Sequence, residues 1–262
     1  VNRFFRSERP DVVLLAAGRV GGILANDEAQ ADFLYDNLAI AMNVIHAAHE
    51  HDVRKLVNLG SSCIYPRQAP QPIPESALMT GPLEPTNRGY AVAKIAAIEL
   101  CDAYRRQYGD DFVSAMPANL YGPHDNFDLR TSHVLPALMR KAHEAKERSD
   151  ATLPVWGSGR PKREFLHVDD VADAVLFLLE HVSAPGPINV GSGHDLSIRE
   201  LAEMVADVVG FEGELAFDPS QPDGTPRKLL DVSRLAALGW TARIPLREGI
   251  TSTYAWYLEH ET

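Results

Sequence analysis

"KLVNLGS" (residues 55–61) runs apolar for most of its length and then stops on a glycine and a serine. A short apolar run closed by turn formers reads as a buried strand. Upstream, "DVVLLAA" (11–17), bounded by Pro10 and Gly18, reads as another. Between them, from Ala31 to about Glu50, Phe33, Leu34, Leu38, Ile40, Val44 and Ile45 recur at helical spacing. Downstream of the proline-rich stretch 66–85, a helix is predicted from Gly89 to Tyr108, ended by Gly109. "FVSAMPANLYG" (112–122) then reads as a strand running into a loop.

The alternation continues to the end of the chain. A helix over 133–148 precedes short strands near Leu153–Trp156 and Glu164–Val168. Asp169 is placed to cap "DDVADAVLFLLEH". "PINVG", "SIRELAEMVADVVG" and "ELAFD" follow as strand, helix and strand. Strands alternating with helices of this length predict an α/β fold, a doubly wound, Rossmann-like parallel sheet. Ligands of such sheets bind beyond the carboxyl ends of the strands, which is where "LGSSC" and "NLYGPHDN" fall. The expected organisation is a dinucleotide-binding domain over 1–122, with 166–190 returning to it. A smaller α/β substrate lobe takes 123–165 and 191–262.

The formal charge of −11 opposes nucleic-acid binding, which needs a basic surface. No apolar stretch reaches the roughly 18 residues that cross a bilayer. Two cysteines, Cys63 and Cys101, make no disulfide framework, so a cytoplasmic location is expected. No histidine or cysteine spacing suggests a metal. The histidines of "HAAHEH", His46, His49 and His51, are expected on a wet helix face, and Cys101 inside its helix as a small core residue. "GRVGG" (18–22) is expected to let the backbone approach a ligand closely, while "GSGR" and "GSGH" read as turns.

Tyr90 and Lys94 lie four apart in "GYAVAKIAAIEL", on one face of the predicted helix. An ammonium there would favour the tyrosinate, lower the phenol's pKa and make Tyr90 a usable general acid. An isolated pair of this spacing is more often an ordinary helix surface. Ser61, at the end of a preceding strand, is what makes the pattern specific.

Ser61, Tyr90 and Lys94 resemble the triad of the extended short-chain dehydrogenases/reductases that act on nucleotide sugars. Within that family, "SSCIYP", "LEPTN", "NLYGPHDNF", "SHVLPAL", "VWGSG", "REFLHVDD" and "PDGTPRKLLDVSRL" closely resemble the GDP-L-fucose synthases, in the same order along the whole chain. The resemblance implies an NADP(H)-dependent conversion of GDP-4-keto-6-deoxy-D-mannose to GDP-L-fucose. Carbons 3 and 5 are epimerised first, and carbon 4 is then reduced. It assigns the epimerisation to Cys63 and His133, whose side chains exchange protons near neutrality. Tyr90 and Ser61 would serve the reduction. It further implies cofactor contacts at Leu59, Gly60, Ser61, Ser62, Lys94, Pro117, Ala118, Asn119, Leu120 and His133, substrate contacts at Lys141, Trp156, Arg163, Asp223 and Lys228, and a homodimer built on helices 31–50 and 89–108.

A related nucleotide-sugar 4-epimerase or 4,6-dehydratase is the alternative, and "SSC" disfavours both. A non-catalytic relative is the other. The fingerprint G-x-G-x-x-G belongs before "DVVLLAA" and is absent, and the chain opens at Val1 in mid-pattern. The expectation is a fragment lacking the first two strands and their helix, roughly 45 residues, on the scale of one βαβ unit.

Overall fold

The computed structural model describes residues 1–262 except Pro222, the first residue of the "PDGTPRKLLDVSRL" motif. The described strands are β1 (Val12–Leu15), β2 (Lys55–Leu59), β3 (Phe112–Pro117), β4 (Asn119–Tyr121), β5 (Thr152–Trp156), β6 (Lys162–His167), β7 (Pro187–Val190), β8 (Asp195–Ser197), β9 (Glu214–Asp218) and β10 (Arg227–Lys228). The helices are α1 (Asn2–Glu8), α2 (Ile23–Glu28), α3 (Gln30–Glu50), α4 (Arg88–Tyr108), α5 (Val134–Glu147), α6 (Val168–His181), α7 (Ile198–Val209), α8 (Ser233–Ala237) and α9 (Leu246–His260).

Four parallel strands in the order β1-β2-β3-β7 form the main sheet. Every residue of β3 is buried, as a central parallel strand covered on both faces requires. β1 lies at the edge, and its Leu14 is exposed. α3 and α4 pack together on one face, where Ala41, Ala47, Ala48 and Ala97 let the backbones approach and Ile45, Leu56, Cys101 and Phe112 fill the layer. α6 covers the other face with Val171, Ala174, Val175 and Leu178. α4 ends on Gly109 at φ 84°, the left-handed conformation that glycine adopts without steric cost.

A second sheet, β10-β6-β4 with β8 antiparallel to β6, grows out of the first. The stretch 112–122, predicted as a strand running into a loop, holds two strands. At Ala118 the chain leaves the main sheet, its amide donating to the Val190 carbonyl (2.9 Å), and β4 then joins β6. β5 and β9 pair separately. Against these strands α5, α7 and α9 build their own core, including Leu135, Met139, Leu153, Leu201, Val205 and Ile250. The strand period of two is plain in β5, whose burial alternates along its length.

Some expectations needed correction. Asp169 does not cap α6. His167 holds that position, its ring accepting the Asp169 amide (3.2 Å), because Asp169 already lies within the first turn. Of the "HAAHEH" histidines only His46 is exposed. His49 bonds Asp110 (2.7 Å) and stacks on Tyr104 and Tyr108, and His51 packs near Phe5. α9, unread in the sequence, contributes Ile250, Tyr254 and Tyr257 to the second core. Among the described residues, no helix is long and apolar enough to cross a membrane.

The buried carboxylate of Glu164 on β6 fastens the second sheet. It accepts the Leu230 amide (2.9 Å) just after β10 and the Gly193 amide (2.7 Å) in the "GSGH" turn. Gly191 is required beside it, since any Cβ there would run into the carboxylate. Replacing Glu164 with alanine orphans two buried amides. Glu164→Ala is expected to cost on the order of 3 kcal/mol, measured by urea unfolding.

Candidate active site

The site lies beyond the carboxyl end of β2, where the sheet ends and the chain must turn. Gly60 sits there because Met116 of β3 fills the space a Cβ would need. Ser61 is still extended, and its hydroxyl accepts the Cys63 amide (3.2 Å), capping a single 3-10 turn, Ser62–Ile64. That turn, rather than strand alternation, brings Ser61 and Cys63 to one place.

α4 packs its N-terminal half against this turn. Tyr90 and Lys94 lie on the same face, the ammonium 5.7 Å from the ring centroid, and Phe33 of α3 meets the Tyr90 ring edge-on. The expected effect of Lys94 on Tyr90 is not found. Burial and then the neighbouring Cys63 charge push the phenol well above its ordinary value, and the Ser61 hydroxyl only partly offsets them. Lys94 is itself pushed down by burial, to about 8. It donates to the Leu59 carbonyl (2.9 Å) instead of pairing with the phenol. Tyr90 therefore keeps its proton, which is what a proton donor needs.

Cys63 has the opposite environment. Burial pushes the thiol up, but Lys228, the Ser61 hydroxyl and Arg163 together outweigh it, leaving the thiol below its ordinary value. Lys228 touches it, Nζ donating to Sγ at 3.4 Å. A small recess opens here, lined by Cys63, Lys228, Glu84, Asn87 and Thr225 among others. His133 holds the N-cap position of α5, yet its side chain caps nothing. The residue is exposed, and partial desolvation of the ring together with nearby Lys228 disfavours the imidazolium.

The remaining expected residues divide. Trp156, at the end of β5, is exposed, with the Lys141 ammonium 4.8 Å from its ring centroid, an open platform beside a cation. Asp223 spends its carboxylate on the Ser158 amide (2.7 Å) and hydroxyl (2.8 Å), and its carbonyl accepts from Arg163 (3.3 Å). It thereby closes the "GSGR" turn, where Gly157 has φ 81° and its Cβ position is taken by that carboxylate. Pro117 and Ala118 are buried at the crossing between sheets, and the Asn119 amide donates to the Glu164 carbonyl (2.7 Å). In "GRVGG", Gly22 makes its close approach to the Ser132 carbonyl and Gly21 to Ala25 and Phe33, so these two glycines serve internal packing. Gly18 alone approaches the site, near Asn37 and the Lys94 ammonium.

Sequence reasoning missed Glu84, Asn87 and Thr225. The first two stand in "LEPTN" and the third in "PDGTPRK", motifs noticed as resemblances without a role for these residues. The Asn87 side-chain oxygen is buried without a partner, and Glu84 pairs with Arg67 (3.2 Å).

The residues present fit the nicotinamide end of a dinucleotide. Lys94 has three N–H groups, and its recorded hydrogen bond uses one, on the Leu59 carbonyl. The others remain for ribose hydroxyls at the strand ends where such cofactors lie.

A parallel sheet with a Ser-Tyr-Lys constellation at its carboxyl edge defines the short-chain reductase class. The profile of the NAD dependent epimerase/dehydratase family matches residues 1–191, and the chain belongs to that family. It is 60% identical over 260 residues to GDP-L-fucose synthase 1 of Arabidopsis thaliana, covering 99% of this chain and 80% of that one. It is 56% identical over 270 residues to the GDP-L-fucose synthase of Escherichia coli K12, covering 100% and 84%. Among solved structures, a GDP-L-fucose synthetase from Naegleria fowleri bound to NADP superposes with a TM-score of 0.89 at 30% identity, covering 98% and 80%.

The two thiols should behave differently. Burial pushes Cys101 up to about 12 and removes it from solvent, whereas Cys63 lines an open cavity beside a cation. Brief iodoacetamide treatment near neutral pH, read by peptide mass, is expected to label Cys63 and spare Cys101.

Proposed function

We propose that this chain performs the conversion of GDP-4-keto-6-deoxy-D-mannose to GDP-L-fucose, with NADP(H) as the hydride carrier. The observation that carries the reading is the thiol of Cys63, cationically stabilised, beside the Ser61–Tyr90 pair. A plain reductase needs the pair and has no use for the thiol.

The ketone at carbon 4 acidifies the protons on carbons 3 and 5. Cys63, biased toward thiolate, removes them. His133, on an uncommitted helix cap, meets the sugar's other face and returns protons there, inverting each centre through an enolate. Reduction needs the reverse polarity, an acid at the carbonyl oxygen. Tyr90 holds its proton for that purpose, and Ser61 hydrogen-bonds the same oxygen. Lys94 with Leu59–Ser62 and the Pro117–Leu120 segment would hold the dinucleotide, with His133 at its edge, and it would supply the hydride for carbon 4.

The Lys141–Trp156 pair suits the nucleotide, by stacking and charge. Arg163 and Lys228 suit the diphosphate, with Asp223 fixing the turn beside them. The same reading makes residues 1–122 with 166–190 the dinucleotide-binding domain, and 123–165 with 191–262 the substrate lobe. A cytoplasmic homodimer through α3 and α4 belongs to it, supported by the exposed Tyr35, Met42 and Val92 on those helices.

The test separates the two halves of the reaction. With the keto-sugar in deuterated water, Cys63→Ser is expected to lose deuterium exchange at carbons 3 and 5 by about 10²-fold or more. Tyr90→Phe is expected to lose NADPH oxidation by a similar factor and to keep exchange. Loss of both activities in Tyr90→Phe would refute the division of labour. Conversion of UDP-glucose to its carbon-4 epimer would refute the substrate.

A further inference from the structure

Lys228 stands at the end of a two-residue strand whose only ladder among the described residues is to β6, Arg227 opposite Lys162 and Lys228 opposite Arg163. So short a strand has little stability of its own, and three anchors hold it. Glu164 takes the Leu230 amide (2.9 Å). The Gln71 side chain takes the Leu229 amide (3.0 Å) and gives a bond to the Arg227 carbonyl (3.1 Å). Arg227 pairs with Asp195 (2.5 Å). All of this fixes an ammonium 3.4 Å from the Cys63 sulfur.

We propose that Lys228 is the positioning residue that holds Cys63 as its thiolate before any substrate arrives. This rests on the reading of Cys63 as the epimerisation base and gives Lys228 a task beyond the diphosphate. The other groups around the sulfur do not supply it. Ser61 offers a neutral hydroxyl. Arg163 attracts the thiolate, but its guanidinium is bonded to the Lys162 carbonyl (2.8 Å) and the Asp223 carbonyl (3.3 Å). Tyr90 is protonated, and Glu84, across the cavity, carries charge of the wrong sign and is paired with Arg67.

Lys228 also disfavours the His133 imidazolium. One cation thus marks Cys63, and not His133, as the group that is charged at rest. Two N–H groups beyond the one aimed at sulfur leave Lys228 able to meet an anionic substrate as well.

The test follows the rate of Cys63 alkylation by iodoacetamide between about pH 5 and about pH 10, without sugar or cofactor. Wild type is expected to react with a midpoint below that of a free cysteine. Lys228→Met is expected to shift the profile upward and slow labelling near pH 7 by about tenfold, as loss of an adjacent opposite charge requires. Lys228→Arg is expected to restore most of the rate. Superimposable wild-type and Lys228→Met profiles would overturn the proposal. Should Lys228→Met fail to fold by circular dichroism, a wild-type midpoint at or above that of free cysteine would overturn it alone. The alkylation rate does not depend on what the sugar is. If the keto-sugar assay fails while the shift is seen, the substrate reading falls and the role of Lys228 stands.

Discussion

The buried carboxylate of Glu164 is the constraint on which the site's geometry depends. Burial pushes its carboxyl above the ordinary range, and the Leu230, Gly193 and Ser192 amides oppose that shift. A charge or a proton kept in that place is tolerable only because these donors converge on it. In return, β6, the turn after β7 and the strand carrying Lys228 are held at fixed separation.

The site then works by setting two acidic groups apart. Tyr90 and Cys63 are both half-buried, and desolvation alone would keep both protonated. A cation in contact reverses the outcome for the thiol. Lys94, on the same helix face as the phenol, is turned to the Leu59 carbonyl instead. The thiolate then adds its own charge against ionisation of Tyr90. The proposed base and acid therefore differ by one contact with a cation, present at Cys63 and replaced at Tyr90 by the thiolate's own charge.

Much of this was legible in the sequence, for identifiable reasons. α3 and α4 could be bounded within a residue or two because their apolar positions keep helical period and α4 ends on a glycine. Ser61, Tyr90 and Lys94 could be grouped because two lie one helical turn apart and the third ends a strand. The second strand after Ala118 could not be read, since Pro117 and Asn119 look like the start of a loop and only the partner strand β6 shows that the chain has changed sheets. The capping of α6 by His167 was hidden for a similar reason. Asp169 has the better capping chemistry, and only backbone geometry shows that it already lies inside the turn.

The sequence by itself determined the alternating architecture and the family, because these depend on residue type and on spacing along the chain, and it supplied the groups proposed to react. It did not determine their protonation. Whether Lys94 or Lys228 is the cation that matters, and whether it acts on Tyr90 or on Cys63, depends on distances between residues up to 165 positions apart. Coulomb attraction and desolvation act through space, so only the folded arrangement could decide which group gives a proton and which takes one.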